Sequence, residues 1–392
     1  MSDMEIKRFS ILAVAVFILG AGFIYLRPFA ADSVEGAPSP DWLTSYWHRP
    51  LAPQGKAPDH YSELEASLMP EDCGTCHEAQ YEAWRTSRHS KSMGPGIMGQ
   101  FGPPWLDVGS VNFCQEQLPS IPAGGRYVPN RLYDEKLRGQ GLACAACHVR
   151  KHKRYGPPPR DVVDPDTPHD GFTVVKDFNR SEFCKSCHQF NPGERSLNGK
   201  LMENTYEQWR ASKYAKEGTQ CANCHMPDRK HSFAGIHSPE MVKKGMTVKI
   251  DRKSGGVNVL VTNSGTGHKL PTYVTPKIAV IGKVVTLEGE VIRETVVEKP
   301  IQWMVSMNLR QEYFDTRLNP GETFTAKFDF PEKYKGNIYE IEIRVFPDEF
   351  YRRFYESLIA NPPGGIKLDL IKKAHEEAKN SDFSVYSRKL DF

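Results

Sequence analysis

No cysteine follows Cys224 in this chain of 392 residues, and neither sign of charge prevails. Fifty-one Lys and Arg stand against 48 Asp and Glu, a formal net charge of +3. So close a balance gives no bulk electrostatic drive toward nucleic acid or another polyanion. Long apolar runs are equally scarce. One uncharged stretch of 18 residues, Phe9–Leu26, is led by Lys7-Arg8 and closed by Arg27. At 1.5 Å per residue it reaches about 27 Å, enough for a bilayer core. A cleaved signal peptide needs a small-x-small site, and Arg27-Pro-Phe-Ala-Ala-Asp32 is a poor one. Residues 1–27 therefore read as an N-terminal membrane anchor, with the positive residues favouring a cytoplasmic N-terminus.

The cysteines that are present fall into a pattern. Eight of the nine make four Cys-x-x-Cys-His motifs: Cys73-Cys76-His77, Cys144-Cys147-His148, Cys184-Cys187-His188 and Cys221-Cys224-His225. This is the attachment signature of c-type haem, in which two thiols bond the macrocycle and the adjacent imidazole takes one face of the iron. Zinc could use pairs of Cys-x-x-Cys arms, but it does not require a His after every second Cys. A disulfide framework explains neither the two-residue gap nor the histidines. The sequence therefore predicts four covalently bound haems. Because such attachment takes place outside the bacterial inner membrane, it also predicts an anchored, periplasmic chain. The ninth cysteine, Cys114, reads as a buried structural thiol.

The haem region repeats itself. Tyr81-x-x-Trp84-Arg85-x-Ser87 follows the first motif and Tyr206-x-x-Trp209-Arg210-x-Ser212 the third, each pair of aromatics at helical spacing. Gly141-x-x-Cys144-Ala and Gly218-x-x-Cys221-Ala open the second and fourth motifs, and basic runs ending at His152 and His231 follow them. The expectation is a dihaem unit used twice, with the macrocycles serving as the core.

A second axial ligand for each iron has to come from the remaining histidines. His89, His152, His169, His231, His237 and His268 are the candidates, with Met93 and Met226 as alternatives. His48 and His60 lie in a proline-rich stretch, and His375 lies on a solvated helix face. Tyr214 stands in the second copy where His89 stands in the first, so one iron could carry a Tyr, a different His or an open face.

The expected fold class is α+β multidomain. After the anchor come a linker over 28–62, a mostly helical and irregular tetrahaem domain over 63–244, a β-sandwich over 245–347 and a helical extension over 348–392. Strands are expected at Met246–Ile250, Val257–Thr262, Ile278–Val285, Glu290–Val297, Thr323–Phe330 and Tyr339–Val345, from alternating β-branched and aromatic residues between turns such as Asn319-Pro-Gly321.

The Tyr-x-x-Trp-x-x-Ser-x-His segment at Tyr81–His89, Cys-x-x-Cys-His-Met-Pro at Cys221–Pro227 and the Gly-His-x-x-Pro-Thr loop at Gly267–Thr272 resemble multihaem c-type cytochromes. They are most similar to the group that includes hydroxylamine oxidoreductase and its tetrahaem electron acceptor. The resemblance implies closely stacked, mostly bis-histidine haems that carry electrons between redox proteins. Some members of that group keep one open iron for chemistry on a small nitrogen or sulfur compound. An anchor followed by four haems also resembles quinol dehydrogenases, although here nearly fifty residues separate the anchor from the first motif.

Overall fold

A computed structural model describes residues 40–47, 54–100, 139–160 and 168–391. The proposed anchor, His48 and Cys114 lie outside these residues. Among the described residues no helix is long and apolar enough to cross a membrane. The fold mixes short helices with several sheets.

The cysteine-bearing half is built from short pieces. Its motifs lie at or inside the helices Pro70–Gly74, Cys144–His148, Ser181–Lys185 and Cys221–His225. Helices of five residues have little stability of their own, so something else must hold this half together. Its own apolar core is small. The largest fully buried side chains of the described residues all lie between Val257 and Ile371, with the exception of Val175.

The sequence duplication is a duplication of contacts. Trp84 Nε1 donates to the Leu142 carbonyl at 2.8 Å, and Trp209 Nε1 donates to the Thr219 carbonyl at 2.9 Å. Each acceptor lies two residues before the next motif. Each aromatic helix, Glu78–Arg85 and Thr205–Arg210, thus pins the start of the motif that follows it. The preceding glycines, Gly141 (φ 63°) and Gly218 (φ 80°), both occupy the left-handed region.

The loops after the second and fourth motifs also match, but not in the register that their basic runs suggested. Lys151 and His152 (φ 50° and 60°) are two successive left-handed residues, and Asp228 and Arg229 (φ 54° and 59°) are their counterparts. His152 therefore corresponds to Arg229, and His231 to Arg154. The two histidines do not hold equivalent places.

The expected linker is not all tether. Pro40–Tyr46 is a helix whose aromatic residues, with Trp47, pack on Cys147, Tyr155, Phe178 and Phe183. Tyr46 donates its hydroxyl to the Cys147 carbonyl at 2.7 Å, and the Arg150 guanidinium lies 3.9 Å from the centre of the Tyr46 ring.

Eight strands form the C-terminal sheets: β1 Met246–Lys253, β2 Gly256–Asn263, β3 Lys277–Val285, β4 Val291–Val305, β5 Glu312–Asp315, β6 Thr323–Asp329, β7 Ile338–Phe346 and β8 Phe383–Asp391. One sheet runs β5-β4-β3-β7-β8 and the other β6-β2-β1, with neighbours antiparallel. Val257, Val259 and Val261 of β2 share one core with Ile278 and Val280 of β3 and Ile341 and Ile343 of β7. The two sheets therefore pack face to face.

The helices Glu349–Ala360 and Leu368–Lys379 follow, as the extension was expected to contain. The chain then returns as β8, pairing with β7 at the sheet edge, so residues 348–392 are not wholly helical. Strand β4 also runs past its expected end through Pro300, whose missing N–H argues against a strand interior.

A charge cluster ties the two halves together. Arg317, almost fully buried, donates from Nε and Nη2 to the two Asp315 oxygens at 2.9 Å each and lies 4.0 Å from the centre of the Trp303 ring. Lys200, from the cysteine-bearing half, reaches both Glu312 and Asp315 at 2.9 Å. Burial pushes the Asp315 carboxyl up, but Arg317 and Lys200 outweigh it and hold the group well below its ordinary range. Asp315→Ala strands the guanidinium in the interior and is expected to cost about 3–5 kcal/mol, read from thermal unfolding of the holoprotein. A group depressed on folding stabilises above its unfolded pKa, so this contribution is fully present above about pH 4 and fades as acid is added.

Candidate haem centres

Three histidine pairs dominate the cysteine-bearing half. The ring centres of His148 and His231 are 6.1 Å apart, those of His225 and His268 6.2 Å, and those of His89 and His188 6.3 Å. An imidazole nitrogen bonds a transition metal at about 2.0–2.1 Å, which puts two trans imidazoles about 6.3 Å apart from ring centre to ring centre. Each pair has this spacing, and each joins one motif histidine to one histidine from elsewhere in the chain. The remaining motif histidine, His77, comes near enough to His169, His148 and His231 for their charges to interact.

The ring orientations are fixed by the nitrogen that faces away from the gap. Nδ1 of His148 meets the Tyr155 carbonyl at 2.8 Å, and Nδ1 of His225 meets that of Ala234 at 2.6 Å. His231 uses the Arg229 carbonyl at 2.8 Å, His268 that of Lys269 at 2.9 Å and His169 that of Gly171 at 2.9 Å. Because a carbonyl can only accept, the proton sits on Nδ1 and the Nε2 lone pair is left for a metal. Burial, above all, pushes the pKa of His89, His148, His188 and His268 down to about 4, so these rings stay neutral, the form that ligates.

Local structure places each partner. The Tyr61 hydroxyl donates to the His169 carbonyl, and the His169 N–H donates to Glu65 at 2.8 Å. Gly141 crosses so close to His89 that a Cβ would strike the His89 and Ser90 carbonyl oxygens, and the Leu142 N–H donates to the His89 carbonyl at 2.8 Å. His268 rides on the loop between β2 and β3. Its carbonyl accepts from Asn263 Nδ2 at 2.9 Å and from Thr266 Oγ1 at 2.6 Å, and the Lys269 N–H donates to Gln208 at 2.8 Å.

The other candidates have different partners. His152 Nε2 meets the Gly55 carbonyl at 3.0 Å, and His237 Nε2 pairs with Asp348 at 3.0 Å. Neither is paired with a motif histidine in the way that His231, His268 and His89 are. His60 pairs with Asp170, and His375 with Glu356. Tyr214 turns its hydroxyl to the Ser264 carbonyl at 3.4 Å, packing on the loop that carries His268.

The cysteines meet across motifs. Cys73 lies near Cys144, Cys184 near Cys221 and Cys147 near Cys187. In sequence order, each motif therefore neighbours the next. Among the described residues no three of His, Cys, Asp and Glu form a cage for a metal ion.

The surroundings of His188 differ from those of His148 and His225, and no pattern in the sequence marks them. His188 Nδ1 meets a side chain, the Tyr273 hydroxyl, at 2.9 Å. Tyr273 in turn hydrogen bonds to Glu203, which also accepts from the Thr205 hydroxyl at 2.7 Å. Burial lifts the Glu203 carboxyl to about 7.

No family model matches the sequence, and no curated protein does. The fold has a solved counterpart. It is a penta-heme cytochrome c552 from Thermochromatium tepidum, similar over 84% of this chain and 100% of its own, with a TM-score of 0.54 and 16% identity. At that identity the likeness is one of fold.

Proposed function

We propose that this chain is a multihaem c-type cytochrome that passes electrons between other redox proteins. It carries four covalent haems and is tethered by Phe9–Leu26 to the periplasmic face of a bacterial inner membrane. The observation that carries this reading is the set of histidine pairs at the spacing of two imidazoles on one metal. The residues present fit the group. Each Cys-x-x-Cys would attach one macrocycle, with His77, His148, His188 and His225 proximal and His169, His231, His89 and His268 distal to them respectively.

Haem supplies one-electron chemistry and the protein supplies position, ligation and environment. Two histidines on each iron would leave no face for a substrate, which favours a carrier over a reductase or oxidase working at an open haem. The neighbouring of successive motifs favours a path that runs through the four sites in chain order, and the fold shared with a penta-heme cytochrome is consistent with it.

The test is kinetic. Reduced holoprotein is expected to be reoxidised rapidly by an oxidised c-type cytochrome. It is expected to show no turnover with hydroxylamine, nitrite or sulfite. Steady turnover of any of these with native protein would move the assignment to an enzyme.

A further inference from the structure

The proximal histidines differ in what their Nδ1–H groups meet. For His148 and His225 the acceptor is a backbone carbonyl, which carries no charge and can pass the hydrogen bond no further. For His188 it is the Tyr273 hydroxyl, which both accepts and donates. With Nε2 reserved for the metal, the His188 proton sits on Nδ1 and points at the Tyr273 oxygen. The Tyr273 hydroxyl lies against both the Glu203 carboxyl and the Thr205 hydroxyl, which itself donates to Glu203 at 2.7 Å, so Glu203 is the acceptor at the end of the chain. The result is a chain of three side chains ending in a carboxyl that burial keeps protonated up to about pH 7 and that carries a negative charge above it.

Both ends of this chain are held in place. Glu203 is anchored by the Thr205 N–H and hydroxyl at 3.2 and 2.7 Å. Tyr273 is fixed by its neighbour Thr272, whose hydroxyl meets that of Thr205 at 2.8 Å and whose carbonyl accepts from Arg317 at 2.8 Å. The same β2–β3 loop thus presents His268 to one motif and Tyr273 to another.

We propose that Tyr273 and Glu203 form a relay that lowers the reduction potential of the haem held by Cys184, Cys187 and His188. A carboxylate acting through Tyr273 pulls the Nδ1 proton away from the ring and makes the imidazole a stronger donor. It thereby stabilises the ferric state over the ferrous state. Tyr273 and Glu203 are positioning residues here, acting only through His188. The inference rests on the reading of His188 as an iron ligand.

The experiment is a spectroelectrochemical titration of full-length holoprotein above neutral pH, with haem content and spin state measured on the same samples. In Tyr273→Phe one midpoint is expected to move positive and the others to stay. Glu203→Gln is expected to move the same midpoint in the same direction, and the double variant no further than Tyr273→Phe alone. Tyr155→Phe is the control, since His148 bonds the backbone carbonyl of Tyr155, and its midpoints are expected to match wild type. If Tyr273→Phe fails to mature, Glu203→Gln alone decides. Unchanged or negative shifts in low-spin, fully loaded protein would overturn the relay while leaving the cytochrome reading intact. A high-spin haem in Tyr273→Phe would also overturn it, reducing Tyr273 to a prop for the ring. A wild-type protein without haem at the third motif would instead remove the underlying reading.

Discussion

His268→Ala protein is expected to retain all its haems, yet one in about four should turn high-spin and bind CO when reduced. The loop that carries His268 is braced independently of the imidazole, through Asn263, Thr266, Gln208 and the paired Leu270 and Leu318 backbones. Removing the ring leaves the loop in place and takes away only the ligand. His89→Ala, His231→Ala and His169→Ala are expected to give the same signature at the third, second and first motifs. His152→Ala and His237→Ala should remain low-spin throughout, since their Nε2 atoms are committed to Gly55 and Asp348. Magnetic circular dichroism and CO difference spectra read the result directly. A low-spin His268→Ala protein, or a high-spin His237→Ala protein, would mean that the pairing is wrong.

The second large effect concerns folding. Chain produced without haem attachment is expected to lose structure over residues 54–100, 139–160 and 168–244 while the sheets from Met246 onward persist. The cysteine-bearing half has five-residue helices and, among its large side chains, only Val175 fully buried, so bound macrocycles would supply much of its hydrophobic stabilisation. The C-terminal half has a continuous core of its own, from Val257 through Ile343, around which the sheets close. Limited proteolysis should therefore yield a protected fragment beginning near the helix Pro239–Gly245. Equal protection of both halves in haem-free chain would show that the macrocycles are not the core.

The sequence made the covalent chemistry legible because that chemistry dictates spacing: Cys, two residues, Cys, His. The duplication was legible for the same reason, and its contacts explain why Trp84 and Trp209 recur, each donating to the backbone before the next motif. Choosing among the spare histidines was harder. His152 and His231 both end basic runs, and only the left-handed residue pairs reveal that they are two positions out of register. His89 faces His188 across most of the cysteine-bearing half, a pairing that no local pattern records.

Tyr214 stood where His89 would repeat. The structure puts it against the loop that brings His268 to His225. Strand β8 was missed because it follows two helices and lies at a sheet edge, where one face is wet. The relay through Tyr273 and Glu203 was invisible for a related reason, since seventy residues separate partners that touch only after both halves have packed. The one signal available was a tyrosine directly after the Gly-His-x-x-Pro-Thr loop.

The most direct test of the central claim is an EPR spectrum of the purified ferric protein, taken alongside a pyridine haemochrome assay of the same sample. The proposed pairing of four motifs with four distal histidines predicts about four haems per chain, every ferric signal low-spin, and no change on adding cyanide or nitrite. Two or fewer haems in fully matured protein, or a stable high-spin signal that shifts with added ligand, would contradict the account.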